Sequence, residues 1–362
     1  MADATGSQIQ QMNLLQTTCK FILPVDREAA AQAQRLLDAK TKPRRSLGML
    51  EDLACRLAAV YRTASPTIPD KAVVVMAGDH GVAEEGVSAY PAEVTAQMVR
   101  NFASGGAAIN VLARQAGAGI VVVDMGTRAA AVPNGVRDQR LGGGTSNMTR
   151  GPAMSRDQAV RSVETGIRLA TELCDEGIGM ISVGDMGIGN TTSASAVTAV
   201  LTQAPIEQVT GHGTGVDQGR LGRKIAAIQQ ALQVNQPDPV DPLDVLAKLG
   251  GFEIGGLAGV MLGSAAGKIP VIVDGFITSA AALIAVGLCP HVRDYLIAGH
   301  RSQEPGHAVI LRHLDLQPLL DLHMRLGEGT GAVLAMHLVD ASLKILAEMA
   351  TFASAGVSDS GA

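Results

Sequence analysis

Short aliphatic runs recur along this chain, and each ends at a polar or glycine-bearing turn. They are AVVVMAGDHG (72–81), GIVVVDMGT (119–127), GMISVGDMG (179–187), PVIVDGF (270–276) and VRDYLIAGH (292–300). Segments with helical apolar spacing separate them, notably 91–115, 155–174, 191–203 and 218–233. Apolar runs of strand length that alternate with helices predict a mostly parallel sheet covered on both faces, a Rossmann-like α/β fold. The spacing is too irregular for a short-period repeat, and the runs are too few for an eight-stranded barrel. With 362 residues and 47% hydrophobic side chains, the chain can bury a large core.

The two ends read differently. Residues 26–62 form two helical stretches broken around Pro43, and 331–352 form one long stretch. These predict a small helical domain from 24–66 and 325–353 beside a large α/β domain spanning 67–324. Residues 1–23 read as a polar, mobile extension and 354–362 as a flexible tail. No apolar run approaches about 18 residues free of glycine or charge, so no membrane span is expected. The start of the chain lacks the pattern of a secretory signal.

The net charge of −5 and only 8 aromatics (3 Tyr and 5 Phe) argue against nucleic-acid binding. The basic cluster Lys40, Lys42, Arg44 and Arg45 reads as a solvated helix end. Cys19, Cys55, Cys174 and Cys289 form no CxxC pair and fit reduced thiols in the cytoplasm. There is no HExxH among the eight histidines, and no protein-built metal site is expected. The 42 glycines are expected mainly at strand ends and helix starts, where backbone amides approach a ligand.

An ionisable residue follows each aliphatic run: Asp79 with His80, Asp124, Asp185, Asp274 and His300. Ligands of open parallel sheets bind beyond the carboxyl ends of the strands, so these residues mark one functional edge. For any one Asp, a cap or a turn is the simpler reading. In GDMGIGNTTSASAVTAV (184–200), Gly187 and Gly189 open a turn before a helix that begins near Asn190, Thr191 and Thr192. Such a start offers amides and a dipole to a phosphate. The stretch GHGTGVDQGRLGRK (211–224) adds Arg220, Arg223 and Lys224 as candidate phosphate partners. GSAAGK (263–268) is rejected as a phosphate loop, because it precedes a strand and lacks Ser or Thr after Lys268. In RLGEGTGA (325–332), Glu328 sits between glycines ahead of a helix. Poor solvation there suits a general base, and a helix-start carboxylate is the equal alternative.

Seven motifs in register resemble one family, the nicotinate-nucleotide:dimethylbenzimidazole phosphoribosyltransferases that activate the lower base of cobalamin. They are KPRRSLGMLEDLA (42–54), DHGV with EEGVSAYPAEVT (79–95), GPAMS (151–155), VGDMGIGNTT (183–192), GGFEIGGLAGVMLGSAAGKIPVIVDGF (250–276), SQEPGH (302–307) and RLGEGTGA (325–332).

The resemblance implies transfer of ribose 5-phosphate from nicotinate mononucleotide to 5,6-dimethylbenzimidazole, with inversion at the anomeric carbon, no cofactor and a homodimer. It makes Glu328 the general base. Asp274 becomes an acidic partner near base and ribose, and Gly187, Lys224 and Ser302 become phosphate binders. Met186, Asn190, Thr191 and Gly327 fall in the matching substrate motifs. Asp185 stands where members often carry Glu, one methylene longer, as a second catalytic carboxylate. Tyr90 and Met98 align with lower-base pocket positions. Two alternatives stand beside this: a Rossmann-type oxidoreductase, opposed by the missing GxGxxG spacing at 184–189, and a non-catalytic nucleotide-binding protein, which would need no Glu328.

Overall fold

A computed structural model describes residues 13–67, 70–211, 213 and 218–358. Residues 1–12, His212, 214–217 and 359–362, on which parts of the expected extension, glycine stretch and tail fall, lie outside the described residues. Among the described residues, six parallel strands form one sheet: β1 (Asp70–Gly78), β2 (Gly119–Gly126), β3 (Arg137–Asp138), β4 (Ile178–Met186), β5 (Val271–Val273) and β6 (Leu296–Ala298). Their order is β3-β2-β1-β4-β5-β6, the doubly wound arrangement in which strand order reverses between β1 and β4. The aliphatic runs thus form strands, as expected, because a parallel sheet buried on both faces needs near-continuous apolar sequence.

Alternate residues of each strand enter opposite layers. Val73, Val75, Val122, Met180, Ile272 and Ile297 face one apolar cluster. That layer is built from α3 (Met49–Tyr61), α4 (Glu93–Ala103), α5 (Ala108–Ala116) and α14 (Thr330–Glu348). Val74, Met76, Val123, Ile181, Val183 and Val271 face the other cluster. It holds α1 (Leu14–Phe21), α6 (Arg156–Asp175), α7 (Asn190–Thr202), α9 (Gln218–Asn235), α10 (Pro242–Leu249), α11 (Phe252–Ala266), α12 (Phe276–Leu288) and α13 (Pro305–His313). The remaining helices are α2 (Arg27–Asp38), α8 (Ile206–Val209) and α15 (Phe352–Ala355). Leu346 of α14 meets Ala33 and Leu37 of α2 and Ala54 and Ala58 of α3, so segments from both ends of the chain share a small apolar cluster.

Several local readings are corrected. Asn13 opens α1 with a capping box to Gln16, and Leu15 is buried against the body, so part of the expected mobile extension is folded. The 91–115 stretch is two helices, broken at Ser104–Gly106. Only Leu296–Ala298 of the fifth run pairs as a strand, because Pro290–Tyr295 wind into a 3₁₀ helix. Lys40 and Lys42 are buried: Lys40 donates to the Met349 carbonyl, and Lys42 pairs with buried Glu51 at 2.8 Å. α14 is long and apolar enough to cross a membrane by length and composition, yet Val333, Met336 and Val339 pack into the core.

Glycines also serve helix packing, away from strand ends. A Cβ on Gly166 of α6 would lie 1.8 Å from the Gly256 carbonyl oxygen of α11. One on Gly259 would lie 1.9 Å from the Val163 carbonyl oxygen. Backbone meets backbone there, and every residue from Phe252 to Ala265 is buried.

Candidate active site

At the reversal point the chain leaves β4 through Asp185 and Met186, turns at Gly187–Gly189 and enters α7. A cleft of about 80 Å³ opens there. It is lined by Asp185, Met186, Gly187, Asn190 and Thr191 from this segment, and by Gly275 and Phe276 after β5. His300, Ser302 and Glu304 after β6 complete it, together with Arg325 and Gly327. Seven predicted site residues therefore share one cleft, and Lys224, Asp274 and Glu328 stand behind its lining. A groove of about 710 Å³ beside α3 and α13 is larger but contains none of the predicted residues.

The carboxylates crowd this edge. Asp185 accepts a 2.8 Å hydrogen bond from Asn190 Nδ2. Burial, with the like charges of Asp274, Glu253 and Glu328, pushes its pKa up to about 8. Glu328 is 6% exposed and takes a left-handed backbone (φ 62°) between Gly327 and Gly329. Residues with a side chain seldom adopt that region, and such strain gathers at functional sites. Burial raises the Glu328 pKa and Asp274 adds to the rise, while the Ile109 amide at the start of α5 opposes it. The loop reaches this place because Gly184 has no side chain: a Cβ there would lie 2.3 Å from the Glu328 carbonyl oxygen.

Asp274 is fully buried and holds that loop. It accepts the Gly329 amide at 3.2 Å and the Ala332 amide at 2.9 Å, and His300 Nε2 lies 3.5 Å away. Burial raises its pKa, and His300 with the amides pulls the other way. Its oxygens are thus engaged with the start of α14. Behind β1, His80 Nε2 lies 2.6 Å from Glu253 Oε1 and Nδ1 lies 3.0 Å from Ser193 Oγ, all three side chains buried. Glu253 escaped the sequence reading because its partner stands 173 residues away. Asp124 and Asp79 serve the simpler role. Asp124 accepts the Gly126 and Thr127 amides, and Asp79 accepts the Arg128 amide.

The other wall is cationic. Lys224 is 1% exposed, and its Nζ donates to the Gly211 carbonyl at 3.1 Å. Burial lowers its pKa to about 8, with Glu304 opposing the drop. A Cβ on Gly213 would lie 3.2 Å from both Lys224 Nζ and Thr191 Oγ1, so these two groups meet behind the lining. Arg325, not singled out from sequence, donates to the Gly213 carbonyl at 3.0 Å.

Tyr90 and Met98 do not line the cleft. Tyr90 is 52% exposed in the turn before α4, and Met98 packs in the same apolar layer as Met186. Thr95 of α4 accepts the Ile188 amide at 3.1 Å, which ties α4 to the β4–α7 turn.

A phosphoribosyltransferase family model matches residues 22–357. A nicotinate-nucleotide–dimethylbenzimidazole phosphoribosyltransferase of Roseiflexus sp. is 57% identical over 349 residues, covering 96% of this chain and 99% of the relative. One of Chloroflexus aggregans is 56% identical over 350 residues with the same coverage. A crystal structure of the Thermus thermophilus enzyme of that name superposes with a TM-score of 0.88 at 46% identity, covering 92% of this chain and 99% of that one. A doubly wound sheet with an acidic cleft at its reversal point, matched over nearly its whole length, places the chain in the nicotinate-nucleotide:dimethylbenzimidazole phosphoribosyltransferase family.

Proposed function

We propose that this protein transfers ribose 5-phosphate from nicotinate mononucleotide to 5,6-dimethylbenzimidazole or a related lower-ligand base, giving α-ribazole 5′-phosphate and nicotinate. The observation that carries the residue assignment is a buried, glycine-flanked Glu328 with a raised pKa, set beside Asp185 and across from Lys224. Phosphate is bound on the Lys224 side by its ammonium, the Gly187 turn, Asn190, Thr191 at the start of α7 and the Ser302 hydroxyl. The lower base lies beside Met186, on the side where the Glu328 loop meets the start of α5.

The chemistry follows from charge. The bond between C1′ and the pyridinium nitrogen breaks, and its electron pair stays with nicotinate. The ribose then carries oxocarbenium-like positive charge, which the Asp274 carboxylate stabilises, with the protonated Asp185 carboxyl as a hydrogen-bonding neighbour. A ring nitrogen of the base attacks C1′ from the opposite face and inverts it. Glu328 takes the proton from the other ring nitrogen, a role that suits a carboxylate whose pKa burial has raised.

The working form in this reading is a cytoplasmic homodimer. The four cysteines are free thiols, as a reducing compartment keeps them. Incubating the protein with nicotinate mononucleotide and competing dimethylbenzimidazole, adenine and a phenol tests the activity and its base preference. Nicotinate and an α-linked riboside phosphate should appear in equal amounts. Absence of product with every base would end the proposal.

A further inference from the structure

The loop from Gly299 to Glu304 brings Ser302 into the cleft and is fastened from behind by a side chain with no part in the chemistry above. His307, in the first turn of α13, is fully buried. Its Nδ1 accepts the Ser302 amide at 2.9 Å, and its Nε2 lies 3.0 Å from Ser279 Oγ on α12. Because the Ser302 partner is an N–H, Nδ1 must present its lone pair, and the ring proton sits on Nε2 facing Ser279. Ser302 Oγ in turn accepts the Glu304 amide at 3.3 Å. The Ser302 hydroxyl proton is thereby left to donate towards the cleft that the residue lines.

We propose that His307 is a positioning residue for the donor's phosphate: by accepting the Ser302 amide, it sets the orientation in which the Ser302 hydroxyl donates to a phosphomonoester. The proposal rests on Ser302 binding phosphate in the transferase reading. Burial, with His300 and Arg301 close by, lowers the His307 pKa to about 3, so the Nδ1 acceptor persists across the working pH range. His300 stands 6.2 Å away, ring to ring, and its Nε2 is turned to Asp274, so the two imidazoles serve different walls.

Two substitutions separate the ring nitrogens. His307→Asn keeps an acceptor near the Nδ1 position and loses the Ser279 partner. His307→Gln keeps a donor near Nε2 and loses the Ser302 amide. Calorimetric titration of nicotinate mononucleotide should give a Kd raised about tenfold in His307→Gln and within about threefold of the parent in His307→Asn. Nicotinate riboside, which has no phosphate, should bind both variants as it binds the parent. Equal effects of the two variants, or equal loss for nucleotide and riboside, would reduce His307 to a packing role and overturn the proposal. If His307→Gln fails to fold, a Kd about tenfold weaker in His307→Asn overturns it, and retained affinity with an unchanged riboside Kd supports it. The titration reads binding without turnover, so an inactive parent protein refutes the transferase reading separately.

Discussion

Replacing Gly184 with alanine tests whether the place of Glu328 depends on a bare strand. The added Cβ would lie 2.3 Å from the Glu328 carbonyl oxygen, 2.4 Å from its carbonyl carbon and 2.6 Å from the Gly329 nitrogen. Ordinary contact begins near 3.4 Å, so one side must retreat by about 1 Å. β4 cannot easily do so, since Gly184 is in register with Val75 at the centre of the sheet. The loop therefore yields, against the hold of Asp274 on the Gly329 and Ala332 amides. A displacement of about 1 Å at a catalytic group costs about 10²-fold in rate. Overpacking at this site should cost a further ~1–3 kcal/mol of stability. Nicotinate release gives kcat, thermal melting gives stability, and titration gives the Kd for nicotinate mononucleotide. The expected result is a kcat about 10²-fold lower, a reduced Tm and a nearly unchanged Kd. A variant with kcat within about threefold of the parent would refute the reasoning, because the Glu328 loop would then tolerate the displacement.

Other consequences follow from the same geometry. Lys224 loses its proton as pH rises through about 8, so affinity for nicotinate mononucleotide should fall as pH rises past that value. Lys224→Met should bind more weakly throughout and lose this dependence, as titrations across pH would show. Asp185 holds a proton in the folded protein up to about pH 8, although its carboxyl in the unfolded chain ionises near the ordinary value of 3.8. Between these values ionisation favours the unfolded chain, and stability falls as pH rises through that window. Asp185→Asn should thus raise stability by about 1 kcal/mol near neutral pH while lowering kcat, read by melting and turnover. Gly166→Ala would drive a Cβ to 1.8 Å from the Gly256 carbonyl oxygen and should cost about 3 kcal/mol of stability. Its folded fraction should keep the parent kcat, since the contact lies between α6 and α11.

The sheet was legible because a doubly covered parallel strand leaves a continuous apolar run in the sequence. β3 left no such trace: Arg137–Asp138 is a two-residue edge strand. The regular spacing of Gly255, Gly259 and Gly263 resembles turn chemistry but belongs to a helix that meets α6 backbone to backbone. Local charge likewise misled at Lys40 and Lys42, whose partners Met349 and Glu51 are supplied by tertiary packing. The cleft residues Asp185, Gly187, Asn190 and Thr191 were readable because they are grouped at one strand end. Glu253 beside His80, Arg325 beside Gly213 and His307 beside Ser302 are side chains whose meaning lies in a partner's position. Asp274 was readable as a strand-end carboxylate, while its engagement with the amides of Gly329 and Ala332 arises from α14 returning to the sheet.

The central claim is that Glu328 is the base that receives the attacking ring's proton. Single-turnover kinetics of Glu328→Gln with nicotinate mononucleotide and dimethylbenzimidazole tests it most directly, with melting and nucleotide binding measured on the same sample. The expected result is a folded protein with parental affinity for the nucleotide and a chemical step slower by about 10²–10⁴-fold. A folded Glu328→Gln that forms α-ribazole 5′-phosphate at the parental rate would contradict it and shift the role of base to another group, with Asp185 first in reach.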